Sequence, residues 1–110
     1  MYKIVITAHF KKELKRLIRK NLSLKKELIK TLETFHKRTA VPIGMGLFKI
    51  RLKTQGKGKS GGYRVYIFIM EVEGILTPIF IYPKNEKESL TKDEIIYHLT
   101  KTKEELQKLL

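Results

Sequence analysis

Along the chain the spacing of apolar positions changes several times, and each change marks an element. Tyr2 to Ile6 is rich in β-forming residues and predicts a strand. Phe10, Leu14, Leu17 and Ile18 then recur at i, i+4, i+7 and i+8, the stripe of an amphipathic helix, with Thr7 placed to cap its start and Asn21 to close it. Ser23 is a second cap candidate, ahead of the stripe Leu24, Leu28, Leu32 and Phe35. Two short helices joined by a few residues make an αα-hairpin. Their Lys-rich outer faces read as solvated helix surface.

Thr39 to Gly46 contains Pro42, Gly44 and Gly46 and predicts a loop. From Leu47 to Lys53 the pattern alternates strictly. Phe48, Ile50 and Leu52 point one way, and Leu47, Lys49, Arg51 and Lys53 the other, so one face of this strand is core and the other cationic. A glycine-rich, basic connection over 54–62 follows. Tyr63 to Met70 is apolar and aromatic, broken only by Arg64, and Glu71-Val72-Glu73-Gly74 predicts a hairpin turn into a returning strand, Ile75 to Tyr82. Pro78 cannot donate to a ladder, which favours an edge or a bulge there.

Thr91 and Glu94 form a capping box, with Leu90 and Ile95 as its hydrophobic staple and Ile96 and Leu99 continuing the apolar side. Thr102 and Glu105 repeat the capping pattern, predicting a break near Thr100 and a restart. The order β-α-α-β-β-β-α gives an α+β fold with its helices on one side of a small, mainly antiparallel sheet: two N-terminal helices packed against it, and a C-terminal helix. At 110 residues the chain suits one domain over 1–110.

Charge sharpens the picture. The formal net charge is +13, and it is uneven. Residues 1–40 carry twelve Lys/Arg against three acids, residues 41–70 six against none, and residues 71–110 six against eight. No acid lies between Glu33 and Glu71. A polyanionic partner is the natural expectation, because cations that meet phosphates release condensed counterions; a merely Lys-rich surface is the plainer alternative. No apolar run approaches the roughly 20 residues that span a bilayer, and the opening run is shorter than the ~7–15 apolar residues of a signal-peptide core, so the expectation is a cytoplasmic protein without membrane contact.

Several chemistries drop out. With no cysteine, disulfides and thiolate metal sites are excluded. Gly56-Lys57-Gly58-Lys59-Ser60 lacks the full spacing of a phosphate-binding loop. His9, His36 and His98 fall on separate predicted helices without ligand spacing, and the basic middle has no carboxylate for Mg²⁺, so neither metal nor cofactor is expected. Cations remain. Lys49, Arg51 and Lys53 share one strand face at intervals of about 7 Å, Arg64 lies on the next strand, and Lys84 ends the one after. Such a cluster suits a scissile phosphate and its pentacoordinate transition state. A lysine among like charges is pushed towards its neutral form, which makes it a credible base for a ribose 2′-hydroxyl. A passive RNA-binding sheet face is the alternative.

Leu47-Phe48-Lys49-Ile50-Arg51-Leu52, the run Gly56-Lys57-Gly58-Lys59-Ser60-Gly61-Gly62-Tyr63-Arg64-Val65, and Tyr82-Pro83-Lys84-Asn85-Glu86 followed by Leu90-Thr91 closely resemble the RelE/HigB-like toxins of type II toxin–antitoxin modules. Phe10-x-Lys12-x-x-Lys15-x-Leu17 is similar to that family's first helix, and the resemblance spans nearly the whole chain. It implies a sheet backed by two N-terminal helices, an antitoxin partner, and metal-free cleavage of mRNA, usually in the ribosomal A site. The implied reaction is 2′-oxygen attack on the adjacent phosphate, leaving a 2′,3′-cyclic phosphate and a 5′-hydroxyl. By position, Lys49 and Arg51 match the strand that supplies base and phosphate contacts, with Lys53, Lys57 and Lys59 as further RNA contacts. Arg64 matches the arginine that stabilises the transition state, and Lys84 the basic position that would protonate the leaving oxygen. No His or Tyr stands just beyond Lys84, and Pro83 replaces a commoner small residue, so the general acid is open. The fold also includes gyrase-directed ParE-like toxins, which leaves a non-catalytic toxin or a plain RNA-binding module as the other reading.

Overall fold

The N-terminal helices form where the apolar stripes place them. In a computed structural model that describes residues 1–54 and 62–110, α1 runs over Ala8–Ile18 and α2 over Leu24–Glu33. The Thr7 hydroxyl accepts a hydrogen bond from the Phe10 amide, which satisfies one of the orphan donors of the first turn of α1. Asn21 closes α1 by donating its amide to the Leu17 and Ile18 carbonyls. Ser23 holds the cap position of α2, yet its hydroxyl donates to Asn21 Oδ1 and makes no bond to the helix. The two stripes, Phe10, Leu14 and Leu17 with Leu24, Leu28 and Leu32, are buried in one cluster.

Five strands make one sheet: β1 (Lys3–Ile4), β2 (Val41–Gly44), β3 (Leu47–Lys53), β4 (Gly62–Met70) and β5 (Ile75–Pro83), in the order β1-β5-β4-β3-β2. Among the described residues only β1 is parallel to its neighbour. The strand β2 amends the expectation of a loop over Thr39 to Gly46. A 3-10 turn, Lys37–Thr39, leads into it, and Pro42 is tolerated because an edge strand has one side without a ladder. Met45 (φ 57°) and Gly46 (φ 78°) reverse the chain in left-handed conformations. A Cβ on Gly46 would sit 3.1 Å from the Phe68 ring and 3.2 Å from the Ile69 carbonyl oxygen, so the reversal has no room for a side chain.

Pro78 meets both conditions anticipated for it. Pairing with β1 ends at Ile4↔Leu76, and the Thr77 hydroxyl then donates to the Val5 carbonyl at 2.6 Å, so β5 has no ladder with β1 at Pro78. On the other side the register shifts between Tyr66↔Phe80 and Ile67↔Pro78, leaving Ile79 as the extra residue of a bulge. The bulge changes the phase of the strand. Leu76 before it and Ile81 after it reach the same core, which strict alternation would forbid.

Two cores result, one on each face. Phe48, Ile50, Leu52, Tyr63, Val65, Ile67 and Ile69 pack beneath α1 and α2. The opposite phase, Leu47, Tyr66, Phe68, Ile79 and Tyr82, packs with Leu90, Leu99 and Leu106 of the C-terminal segment. The C-terminal helix α3 (Lys92–Leu109) therefore lies across the sheet from α1 and α2, which corrects the expectation that all helices share one side. The cause is the sheet itself: β4 and β5 are apolar on both faces, and each face requires a cover.

The capping box of α3 is formed, with Glu94 receiving the Thr91 amide at 2.8 Å and the Thr91 hydroxyl receiving the Glu94 amide at 3.1 Å. The Thr91 amide and the Lys87 ammonium hold the Glu94 carboxyl down to about 2. No break follows at Thr100; α3 is continuous. The second capping pair is put to other uses. The buried Thr102 hydroxyl donates back to the His98 carbonyl at 2.7 Å. Glu105 accepts from the Ala8 and His9 amides at 2.7 and 2.9 Å, so the carboxylate caps α1 from another helix.

Candidate active site

The sheet face beneath α3 is only half covered. On β3 the same side-chain row that begins at buried Leu47 continues into Lys49, Arg51 and Lys53. On β4 the row of Phe68 and Tyr66 ends in Arg64. The ladder sets Arg51 directly opposite Arg64, Lys49 opposite Tyr66, and Arg64 opposite Tyr82 of β5. Side chains across such a pair stand about 4.5–5.5 Å apart at Cβ, so the register alone brings two guanidinium stems together.

Lys84 reaches this ground because its amide donates to the Gly62 carbonyl at 2.9 Å, just past the Tyr63↔Pro83 pairing. The chain then folds back over the sheet. Two buried tyrosines hold it: the Tyr66 hydroxyl accepts the Leu90 amide at 3.1 Å, and the Tyr82 hydroxyl donates to the Glu88 carbonyl at 3.2 Å. Burial pushes the Tyr82 phenol far above its ordinary range, so it stays a donor. The result is a cleft of about 420 Å³. Lys49, Arg51, Arg64 and Lys84 line it, together with Val41, Ile50, Glu88 and Ser89. Lys49 Nζ lies 3.4 Å from Ser89 Oγ and 5.9 Å from the centre of the Tyr66 ring, a cation held against an aromatic face.

All four residues expected to carry chemistry thus share one cleft, and among the described residues Glu88 is the one acidic residue that lines it. Lys53 occupies the same strand face but does not line the cleft. Lys57 and Lys59, the other expected contacts, lie outside the described residues. Sequence reasoning missed the support beneath the site. Tyr66 follows Arg64 at the two-residue period of a strand, so alternation already set its hydroxyl on the cationic side, but the run read simply as aromatic core. Ser89 and Glu88 carry no comparable signal; only the return of the chain over β5 brings them in.

The fold also joins two histidines that the sequence left unrelated. His9 Nε2 and His98 Nδ1 lie 2.8 Å apart where α1 meets α3, and His98 stacks on Phe80 with ring centres 4.0 Å apart. Burial and the neighbouring His9 hold His98 down to about 4, and burial lowers His9 as well. His36 stands apart as the cap of the 3-10 turn. Among the described residues no three His, Asp or Glu side chains converge to hold a metal ion, and no helix is long and apolar enough to cross a membrane.

A family model described as the RelE toxin of the RelE/RelB toxin–antitoxin system matches residues 3–109. Solved structures that share the fold include the following two. A double mutant of the E. coli toxin RelE in the free state superposes with a TM-score of 0.52 at 21% identity, covering 79% of this chain and 87% of that one. The solution structure of the conserved hypothetical protein HP0892 from Helicobacter pylori gives 0.52 at 17% identity, covering 78% and 98%. No curated protein matches the chain.

Proposed function

The chain belongs to the RelE toxin family, a family of toxin–antitoxin systems that implies an antitoxin partner, and from that premise we propose that it is an mRNA endonuclease acting with the ribosome in the cytoplasm. The observation that carries this reading is the convergence of Lys49, Arg51, Arg64 and Lys84 on one cleft. A phosphodiester is the anion that such a cleft fits, and the three cations that remain when Lys49 acts as the base still exceed the single charge of one bound phosphodiester. The surplus matters when charge builds on the pentacoordinate phosphorus.

In this reading Lys49, held by Ser89 and reacting as the uncharged amine, takes the proton from the ribose 2′-hydroxyl, while Arg51, Arg64 and Lys84 supply the positive charge. The 2′-oxygen attacks the adjacent phosphorus while Arg51 and Arg64 hold the non-bridging oxygens. The bond to the 5′-oxygen breaks, and Lys84 returns a proton to that oxygen. The products are a 2′,3′-cyclic phosphate and a 5′-hydroxyl, with protons and charge balanced and no metal called upon, since the lining offers cations where a metal would need carboxylates. Lys53 continues the cationic strand face, and Lys57 and Lys59 are proposed as further RNA contacts from the sequence alone.

Transcript ends mapped after brief induction test the proposal. New 5′-hydroxyl ends inside translated regions are expected. Growth arrest without new RNA ends would overturn it and favour a non-catalytic toxin, such as a ParE-like gyrase inhibitor.

A further inference from the structure

Pairing of β2 with β3 stops at Val41↔Lys49, so Ile50 to Lys53 have a ladder with β4 but none with β2. Beside that edge lies a second groove of about 330 Å³, near the lower end of the ligand-pocket range of ~300–1,000 Å³. Its outer wall is Thr31, Thr34, Phe35 and Thr39; its inner wall, Val41, Lys49, Ile50 and Arg51, also lines the cationic cleft. The two depressions adjoin through the residues that would hold the phosphate.

The hydroxyls of the outer wall are committed. Thr31 donates to the Glu27 carbonyl at 2.8 Å, Thr34 to Lys30 at 3.0 Å, and Thr39 to His36 at 2.9 Å. A hydroxyl has one proton, and each is spent on backbone, so towards a ligand in the groove these oxygens can only accept. A wall of fixed acceptors selects a ligand edge that donates. An exocyclic amine carries two N–H groups for these oxygens, whereas the uracil edge offers one N–H between two carbonyl oxygens that the threonines cannot serve, with Lys49 and Arg51 engaged by the phosphate.

We infer that this groove holds the base of a nucleotide flanking the scissile phosphate and prefers amino-bearing bases, adenine, cytosine or guanine, over uracil. The inference rests on the reading of the cleft as an RNA-cleaving site. Single-stranded RNA is read in this way, by splayed bases whose edges meet side-chain hydrogen-bonding groups. Lys49 and Arg51 fix the phosphate, and the strand edge leaves space for the adjoining base to turn into the groove.

The test is the base composition around cut sites, mapped for the wild type and for Thr31→Val, Thr34→Val and the double variant in ribosome-containing reactions on RNA with every base at each flanking position. At one flanking position the wild type is expected to favour amino-bearing bases over uridine. Each lost acceptor should reduce that ratio by roughly two- to tenfold, and Thr31→Ser with Thr34→Ser should restore it. An indifferent wild type, or a ratio unchanged in the Val variants, would overturn the subsite while leaving the cleavage proposal standing. A wild type that makes no cuts would remove the cleavage proposal, and the subsite with it.

Discussion

The two halves of the sheet face beneath α3 start from the same alternation and diverge over two residues. On β4, Phe68 and Tyr66 are buried by α3, and two residues further Arg64 lines the open cleft; on β3 the change falls between buried Leu47 and Lys49. The covered half is chosen for stability, since burial of large apolar side chains contributes about 1.5–3 kcal/mol each. The open half is not. Arg51 and Arg64 face each other across the ladder, and like charges in that position oppose folding by roughly 0.2–1 kcal/mol. A fold that keeps such a pair, with an ordered loop above it and two buried tyrosines beneath, has conceded stability at a place where charge is used.

The comparison breaks most sharply at Arg64. Replacing Arg64 with Ala should lower RNA cleavage by about 10²–10³, the loss typical of one preorganised transition-state donor. The melting temperature should stay unchanged or rise slightly, because a repulsion is removed. Cleavage rate and thermal unfolding on the same preparation check both halves of the statement, and a variant as active as wild type would take Arg64 out of the site. Lys26→Ala, on the exposed face of α2, is the control for general loss of charge.

Leu99→Ala should do the reverse. Leu99 is buried between α3 and the sheet, and truncation there costs about 2–5 kcal/mol. Denaturant titration should show a lower midpoint, while the protein that remains folded should keep its affinity for single-stranded RNA. If instead binding fell with stability hardly altered, the two halves would not be separable.

Much of this division was legible in the sequence because period-two and period-3.6 patterns are local. Leu47 to Lys53 announces one core face and one cationic face, and the stripes of α1 and α2 appear with Thr7 already in place. What was not legible depends on neighbours distant in the chain. Pro42 and the glycines around it read as loop, since an edge strand asks for only a few backbone bonds and tolerates proline. The face taken by α3 could not be read from its own stripe, as both sheet faces offer apolar ground. Thr102 and Glu105 carry a genuine capping pattern, but Thr102 bonds within α3, and Glu105 serves α1, nearly the whole chain away. Lys49, Arg51, Arg64 and Lys84 were readable as cations on successive strands; that Ser89 and Glu88 close the cleft over them was not.

A smaller effect sharpens how α3 holds to the covered half. Burial and the neighbouring His9 push His98 from an ordinary 6.5 down to about 4 in the folded protein. Between these values the unfolded chain binds the proton and the folded one does not, so stability is complete above pH 6.5 and falls as pH drops towards 4. Around His98 stand His9, Glu13, Glu94 and Lys87, and Glu105, Lys101 and Lys12 act on His9. With discount for partial exposure, the loss is about 1–2 kcal/mol. Unfolding midpoints measured from pH 7 to pH 4.5 should fall, and His98→Phe should flatten that part of the curve; an equal slope in both proteins would assign it to other groups.

The smallest effect expected concerns the carboxylate by which α3 caps another helix. The Glu105 carboxylate receives two amides from the start of α1, where the helix dipole also favours negative charge. Gln at 105 keeps one acceptor oxygen and removes the charge, so Glu105→Gln should cost about 0.5–1 kcal/mol, within the range of other N-cap losses. The loss should be confined to the covered side. Amide exchange at Ala8 and His9 should quicken, whereas the amides of Lys49 to Lys53, on the far side of the sheet from β1, should exchange at wild-type rates, and cleavage should be retained. Faster exchange across β3 as well would mean that the α1–α3 contact tightens the entire sheet, and the two halves of its face would then have to be treated as one cooperative unit.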